Sequence, residues 1–255
     1  MGTTRENGSL YTKIENRVAT VEFGHPASNS FVAELLNRLT HELNSLSANG
    51  EVSVIILKSE GDRAFCAGAS FDELMAVSNL EEGKIFFSGF ANVINAMRTC
   101  SKVIIGRVHG KAVGGGVGLA AACDYVFASV DASIRLSELT IGIAPLVIAP
   151  AVERKIGTAA LSELSLSPTE WHNAYWAKEK GLYAKVFDNT EELDKEIDFF
   201  TQKLASYNPE ALVALKKILW QGTEHWDALL TERAAITGTL VLSEFTKNAL
   251  TKFKK

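Results

Sequence analysis

Three consecutive glycines, Gly114, Gly115 and Gly116, stand between an apolar run, 103–108, and a Leu/Ala-rich stretch, 117–122. The run reads as a strand and the stretch as the body of a packed helix. Glycines at such a junction leave backbone N–H groups uncovered, and the first turn of a helix adds partial positive charge. That combination suits an oxyanion or a phosphate. Two commoner phosphate motifs do not fit. Leu119 stands where a dinucleotide fingerprint needs its last glycine, and the segment 106–111 lacks Walker spacing and a Ser or Thr after Lys111. A carboxylate follows in Ser137-Glu138-Leu139-Thr140-Ile141-Gly142-Ile143-Ala144-Pro145. Burial beside Leu139 and Ile141 should lift the Glu138 pKa above its reference of about 4.3, toward the range where a general base works. Taken alone, the glycines read more readily as a close-packing device and Glu138 as a surface or helix-start carboxylate.

The remaining reactive side chains read as structural. Cys66 and Cys123 lie in apolar surroundings and suit packing. Ser70 lacks the second glycine of a nucleophile elbow and fits a helix N-cap. The five histidines show no ligand spacing, and His109, just before the glycine turn, reads as a structural neighbour. Trp171, Trp176, Trp220 and Trp226 fall in the later half, where they suit cores or subunit contacts.

These residues need a scaffold. Residues 11–23 suggest a hairpin about Asn16, and 24–30 a loop, with Ser28 or Ser30 available to cap a helix at 31–46. A buried strand is expected at 52–58, a helix at 84–100, the strand 103–108, the glycine turn with its helix, and short strands at 125–128 and 133–136. From 147 onward helices dominate, at about 149–156, 158–165, 170–179, 191–206, 209–221 and 225–255. This is an α/β core followed by helices, with no internal repeat. At 255 residues there is ample material for a core. A net charge of −4 argues against a general nucleic-acid surface, and no apolar run is long enough to span a membrane. The N-terminus shows no secretory signal, and Glu6 spoils the myristoylation pattern that Met1-Gly2 begins. Three scattered cysteines suit a reducing compartment, and the expected location is cytoplasmic.

Several segments in order carry a family resemblance: Arg63-Ala64-Phe65-Cys66-Ala67-Gly68-Ala69, Val108-His109-Gly110-Lys111-Ala112-Val113-Gly114-Gly115-Gly116, Cys123-Asp124, Glu138 to Pro145, and Ala177 through Gly181-Leu182 to Val186. The chain resembles the enoyl-CoA hydratase/isomerase (crotonase) superfamily over nearly its whole length. The resemblance implies a spiral of ββα units, here 1–195, and a helical trimerisation region, here 196–255, assembled as a homotrimer or dimer of trimers. It implies an acyl-CoA thioester substrate, whose enolate is held by the backbone N–H groups of Ala69 and Gly115, with Glu138 as acid/base. No separate cofactor, metal, nucleic acid or membrane is implied, since coenzyme A is part of the substrate. Coenzyme A and acyl contacts fall on Ala27 in the 26–28 loop, Ala67, Gly68, Phe71, Gly114, Gly118 and, in the tail Lys252-Phe253-Lys254-Lys255, Phe253.

One position departs from the pattern. Hydratases of this family with two carboxylates carry a glutamate where this chain has Gly118. Glu138 alone must then serve. Two reactions remain open: hydration of an enoyl-CoA, and isomerisation of a 3-enoyl thioester by proton removal at C2 and return at C4. The glycine turn, the Glu138 segment and Ile148-Ala149-Pro150 are together similar to methylglutaconyl-CoA-type hydratases, which favours hydration. The Glu138–Pro145 run is also similar to single-glutamate 3,2-enoyl-CoA isomerases. Gly118 is expected to free volume for a branched or polar acyl group. A non-catalytic acyl-CoA-binding protein is the third reading.

Overall fold

The computed structural model describes residues 7–253, except the side chain of Phe253. Met1, Gly2, Glu6, Lys254 and Lys255, which bear on the acylation and tail expectations, lie outside the described residues. The expected hairpin is present as β1 (Ser9–Glu15) and β2 (Val18–Gly24). Its two turn residues, Asn16 and Arg17, both have positive φ, as a tight hairpin turn of matching twist requires. Arg17 tolerates this because its Nε donates to Ser53 Oγ at 3.0 Å and its carbonyl accepts from Ser53 N at 2.8 Å.

Two sheets grow together from there. β3 (Val54–Ser59), β5 (Val103–Val108), β7 (Tyr125–Ser129) and β9 (Lys185–Phe187) join the hairpin in a six-stranded sheet ordered β1-β2-β3-β5-β7-β9. β4 (Ala64–Cys66), β6 (Lys111–Val113) and β8 (Ile134–Arg135) form a second, parallel sheet ordered β4-β6-β8. Each turn of the chain therefore lays one strand in the large sheet and one in the small sheet, then returns through helix. The helices are α2 (Phe71–Ala76) and α3 (Leu80–Thr99) after β4, α4 (Gly115–Ala122) after β6, and α5 (Ala149–Leu166) after β8. β3 and β5 are buried almost throughout, as parallel strands covered on both faces must be. Because the small sheet is parallel, its three strands run out at one edge. Ala67–Ala69, Gly114–Gly115 and Ser137–Glu138 therefore emerge side by side.

α1 (Ala33–Ala48) buries Leu35, Leu36, Leu39, Leu43 and Leu46, a helical apolar stripe, in the main core. Neither Ser28 nor Ser30 caps it. Val32 occupies the cap without a side-chain bond, and Glu73 Oε2 on α2 accepts from Ala33 N at 2.8 Å, so the cap comes from a neighbouring helix. The two helices expected at 149–156 and 158–165 are present within α5, which breaks between them at Gly157, where φ 75° and ψ 163° are not helical. The helix expected at 170–179 starts late, as α6 (Ala174–Glu179), because Asn173 caps it through Trp176 N. The expected boundary at 195/196 falls inside α7 (Thr190–Ala205). The segment 225–255 divides into α9 (Trp226–Leu240) and α10 (Glu244–Phe253).

The C-terminal helices fold back on their own chain. Trp220, Trp226, Leu230 and Ala234 belong to the same core as α1 and α3. α9 meets α3 at Gly83 and Gly238, where a Cβ on Gly83 would stand 2.7 Å from the Gly238 carbonyl oxygen. Asp124, after α4, ties α8 (Pro209–Leu219) to the sheet. Its carboxylate accepts from Lys216 Nζ at 2.6 Å, Trp220 Nε1 at 2.7 Å and Ile104 N at 2.7 Å, and its carbonyl from Lys155 Nζ at 2.9 Å. Among the described residues, no helix is long and apolar enough to cross a membrane.

The Asp124–Lys216 pair is almost wholly enclosed, with side chains 2% and 3% exposed. Truncating one partner of such a pair leaves a buried charge, at a cost of about 3–5 kcal/mol. Asp124→Ala should lower the unfolding free energy by about that amount in urea titrations. A loss below about 1 kcal/mol would mean that the cluster does not anchor the C-terminal helices.

Candidate active site

The common edge of the small sheet opens into a cavity of about 620 Å³, within the range of small-molecule sites. Ala67, Gly68, Ala69, Phe71, Gly114, Gly115 and Glu138 all line it.

Gly68 sets the spacing. It has φ +90°, and a Cβ there would lie 3.1 Å from the Val113 carbonyl oxygen and 3.6 Å from Gly115 N. The 67–69 segment thus lies directly against the β6–α4 junction. Phe31 N donates to Gly68 O at 2.8 Å and Ser70 N donates to Phe31 O at 2.7 Å, which clamps the backbone on both sides of Ala69. Ser70 then caps α2 by accepting from Glu73 N, as its sequence context predicts. Among the described residues, neither Ala69 N nor Gly115 N donates to a protein acceptor. Gly115 opens α4, where the helix dipole favours a negative group. Phe90 of α3 packs so closely on Gly115 that any Cβ would meet its ring at 2.3 Å.

Glu138 opens a single 3-10 turn, Glu138–Ile141, closed by Gly142 in the left-handed conformation. Gly142 is pressed by α10, since a Cβ there would stand 2.5 Å from the Phe245 ring. The Glu138 carboxyl lies against Gly114, its Oε1 2.9 Å from where a Cβ would project. Gly114 has φ +53° and ψ −118°, which L side chains rarely adopt, so both space and backbone select glycine. Glu138 Oε2 is closed off from solvent and has no hydrogen-bond partner. Burial raises the Glu138 pKa to about 7, opposed only by a bond from its own backbone N–H. Glu138 is the only carboxylate lining the cavity among the described residues.

Gly118 does not line the cavity, nor does it free volume there. A Cβ on Gly118 would meet Ile148 Cγ2 at 2.4 Å and Ile148 Cβ at 2.7 Å. Ile148 fills that space and presents its own side chain to the cavity. Ala27 is also outside the cavity; its exposed loop touches the rim through Ala67 N donating to Ser28 O at 3.1 Å. Phe253 ends α10, but its side chain lies outside the described residues.

Further wall residues carry no site signal in the sequence reading: Phe86, Phe87 and Phe90 on α3, Arg135 on β8 and Thr237 on α9. The 86/87/90 spacing was a usable signal for one apolar helix face, whereas Thr237 depends on how α9 docks. The unused reactive groups are quiet. Burial pushes the Cys66 and Cys123 thiols up to about 12, and burial, with Arg107 next in weight, pushes His109 down to about 4. No cluster of three or more metal-ligating side chains occurs among the described residues.

The sequence profile of the enoyl-CoA hydratase/isomerase family matches residues 13–252, and the chain belongs to that family. It is 30% identical to the peroxisomal Delta(3,5)-Delta(2,4)-dienoyl-CoA isomerase of Arabidopsis thaliana, over 71% of this chain and 69% of that protein. It is 30% identical to the 2,3-dehydroadipyl-CoA hydratase of Escherichia coli, covering 84% and 83%, and 32% identical to the mitochondrial methylglutaconyl-CoA hydratase of Rattus norvegicus, covering 77% and 63%. The fold matches the crystal structure of enoyl-CoA hydratase from Bacillus halodurans with a TM-score of 0.88, at 22% identity over 95% of this chain and 99% of that one. The chain has the crotonase fold and is an enzyme of this family.

Burial of Glu138 has a measurable consequence. An unfolded glutamate ionises near its ordinary value of 4.5, the native one near 7. The native state therefore holds an extra proton between these values, and stability falls as pH rises through that window, by about 3 kcal/mol in total. Urea unfolding at pH 4.5 and pH 8 should show this loss in the wild type and not in Glu138→Gln. Equal pH dependence in the two proteins would mean that Glu138 is solvated.

Proposed function

We propose that this enzyme isomerises a 3-enoyl-CoA to the conjugated 2-enoyl-CoA with Glu138 as its only proton carrier. The observation that carries this reading is that Glu138 is the one carboxylate lining the cavity among the described residues, with Ile148 filling the room beside Gly118. In the reaction the Glu138 carboxylate removes a proton from C2 of the substrate. The electron pair moves onto the thioester oxygen, which the N–H groups of Ala69 and Gly115 receive. The enolate then collapses, the double bond moves from C3–C4 to C2–C3, and Glu138 returns the proton to C4. One base suffices because the same proton leaves and comes back. Each amide contributes on the order of 2.7–4 kcal/mol where charge develops on the oxygen. A Glu138 pKa of about 7 fits both halves of the cycle, since proton loss and proton uptake are then nearly balanced near neutral pH.

Hydration is the second reading, favoured by the glycine-turn resemblance and by relatives named 2,3-dehydroadipyl-CoA and methylglutaconyl-CoA hydratase. It requires water to be held and deprotonated while the α-carbon gains a proton. Glu138 would have to serve both ends against an Ile148 wall. Assembly as a homotrimer or dimer of trimers accompanies either reading; exposed Phe199 on α7, Leu215 and Ile218 on α8, and Tyr207 between the two helices provide apolar surface for it. Three free buried cysteines suit the reducing cytoplasm.

Ultraviolet absorbance of the conjugated thioester separates the readings. Absorbance should grow when the enzyme meets 3-hexenoyl-CoA, and Glu138→Gln should slow that growth by at least about a hundredfold. Bleaching of crotonyl-CoA or 3-methylglutaconyl-CoA, with no growth from 3-hexenoyl-CoA, would overturn isomerisation in favour of hydration. No change in any case would leave only acyl-CoA binding.

A further inference from the structure

Arg135 is a cavity-lining cation without a protein partner. Its side chain makes no hydrogen bond or ion pair among the described residues, and its Nε is buried and unsatisfied. Its guanidinium is held 4.4 Å over the indole of Trp171, and Lys111 Nζ lies 5.0 Å over the same ring. Two cations thus share one aromatic platform, and among the described residues neither is paired with a carboxylate. Stacking fixes the plane of the guanidinium while leaving its N–H fork unused.

The position of Arg135 says which end of a substrate it faces. In the small sheet, β6 lies between β4 and β8. The thioester seat defined by Ala69 and Gly115 falls between the ends of β4 and β6. Arg135 sits on β8, paired with Val113, and its carbonyl accepts from Gly114 N at 3.0 Å. It is therefore across the glycine turn from the 67–69 segment, on the side where Glu138 meets the acyl carbons.

We infer that Arg135 receives an anionic group at the far end of the acyl chain, so that the preferred substrate is the CoA monothioester of an unsaturated dicarboxylic acid. The inference rests on the acyl-CoA reading above and extends it to the acyl group. A carboxylate matches the planar fork of a guanidinium through two parallel N–H···O bonds. An apolar chain would leave the guanidinium charge unpaired and would lose that discrimination. Trp171 and Lys111 act as positioning groups, the ring by holding the guanidinium flat and the ammonium by adding positive potential.

Binding of two unreactive saturated thioesters tests this without turnover. Adipyl-CoA and hexanoyl-CoA have the same chain length and differ in the terminal carboxylate. By titration calorimetry the wild type should bind adipyl-CoA at least about tenfold more tightly. The ratio of the two dissociation constants should fall to near one in Arg135→Met and stay above one in Arg135→Lys, which keeps the charge. Equal affinities in the wild type would overturn the inference and leave the enzymatic reading intact. Persistence of the wild-type ratio in Arg135→Met, with both thioesters weakened, would also overturn it and assign the guanidinium to the CoA phosphates. Failure of either thioester to bind the wild type would overturn both this inference and the acyl-CoA reading.

Discussion

Two stretches of backbone approach one another at Gly68 and the β6–α4 junction, and the rest of the site is built around that contact. Only a residue without a side chain, at positive φ, fits this approach, because a Cβ on Gly68 would stand 3.1 Å from the Val113 carbonyl oxygen. The contact sets two N–H groups side by side with no protein acceptor. Neither donor belongs to a side chain, so their aim depends on the strands and on the clamp that Phe31 places about Ala69. The small parallel sheet exists to hold that alignment, and the large sheet and its helices hold the small sheet. A preorganised pair of this kind needs no reorganisation when charge develops on a bound oxygen.

The same edge carries a second, costly feature. Glu138 is pressed against Gly114 with one carboxyl oxygen unsatisfied, and its burial works against folding above pH 4.5. The protein offsets this elsewhere. The Asp124 cluster gives a buried carboxylate what Glu138 lacks: a paired ammonium, an indole N–H and a backbone N–H. One buried acid is fully satisfied and fixes the helices; the other is left hungry for a proton at the cavity wall. α9 and α10 connect the two, since α8 and Trp220 reach Asp124 while Thr237 and Phe245 reach the cavity and the Glu138 turn.

Much of this was legible in the chain. The glycine turn, the Glu138 segment and Ser70 as a cap are local features, written in residue type and spacing. The hairpin about Asn16 and the long strands follow from periodicity. Short strands such as β6 and β9 have only three residues each and no period to read. The cap of α1 was not readable because Glu73 reaches it from forty residues away. Gly118 shows the limit most clearly. A missing side chain reads as empty space in a sequence, yet the fold places Ile148 there from the next turn of the spiral. Arg135 lies three residues before Glu138 in sequence, but that its Nε has no partner among the described residues is a property of the packed cavity alone.

The central claim is that the amides of Ala69 and Gly115 together receive the oxygen of a bound thioester. Infrared difference spectroscopy of hexanoyl-CoA carrying a 13C-labelled thioester carbonyl, bound to the protein, tests it directly. The account predicts a carbonyl stretch displaced to lower frequency than that of the same thioester free in water, and equally displaced in Glu138→Gln. A bound carbonyl with the frequency of the free thioester would contradict it.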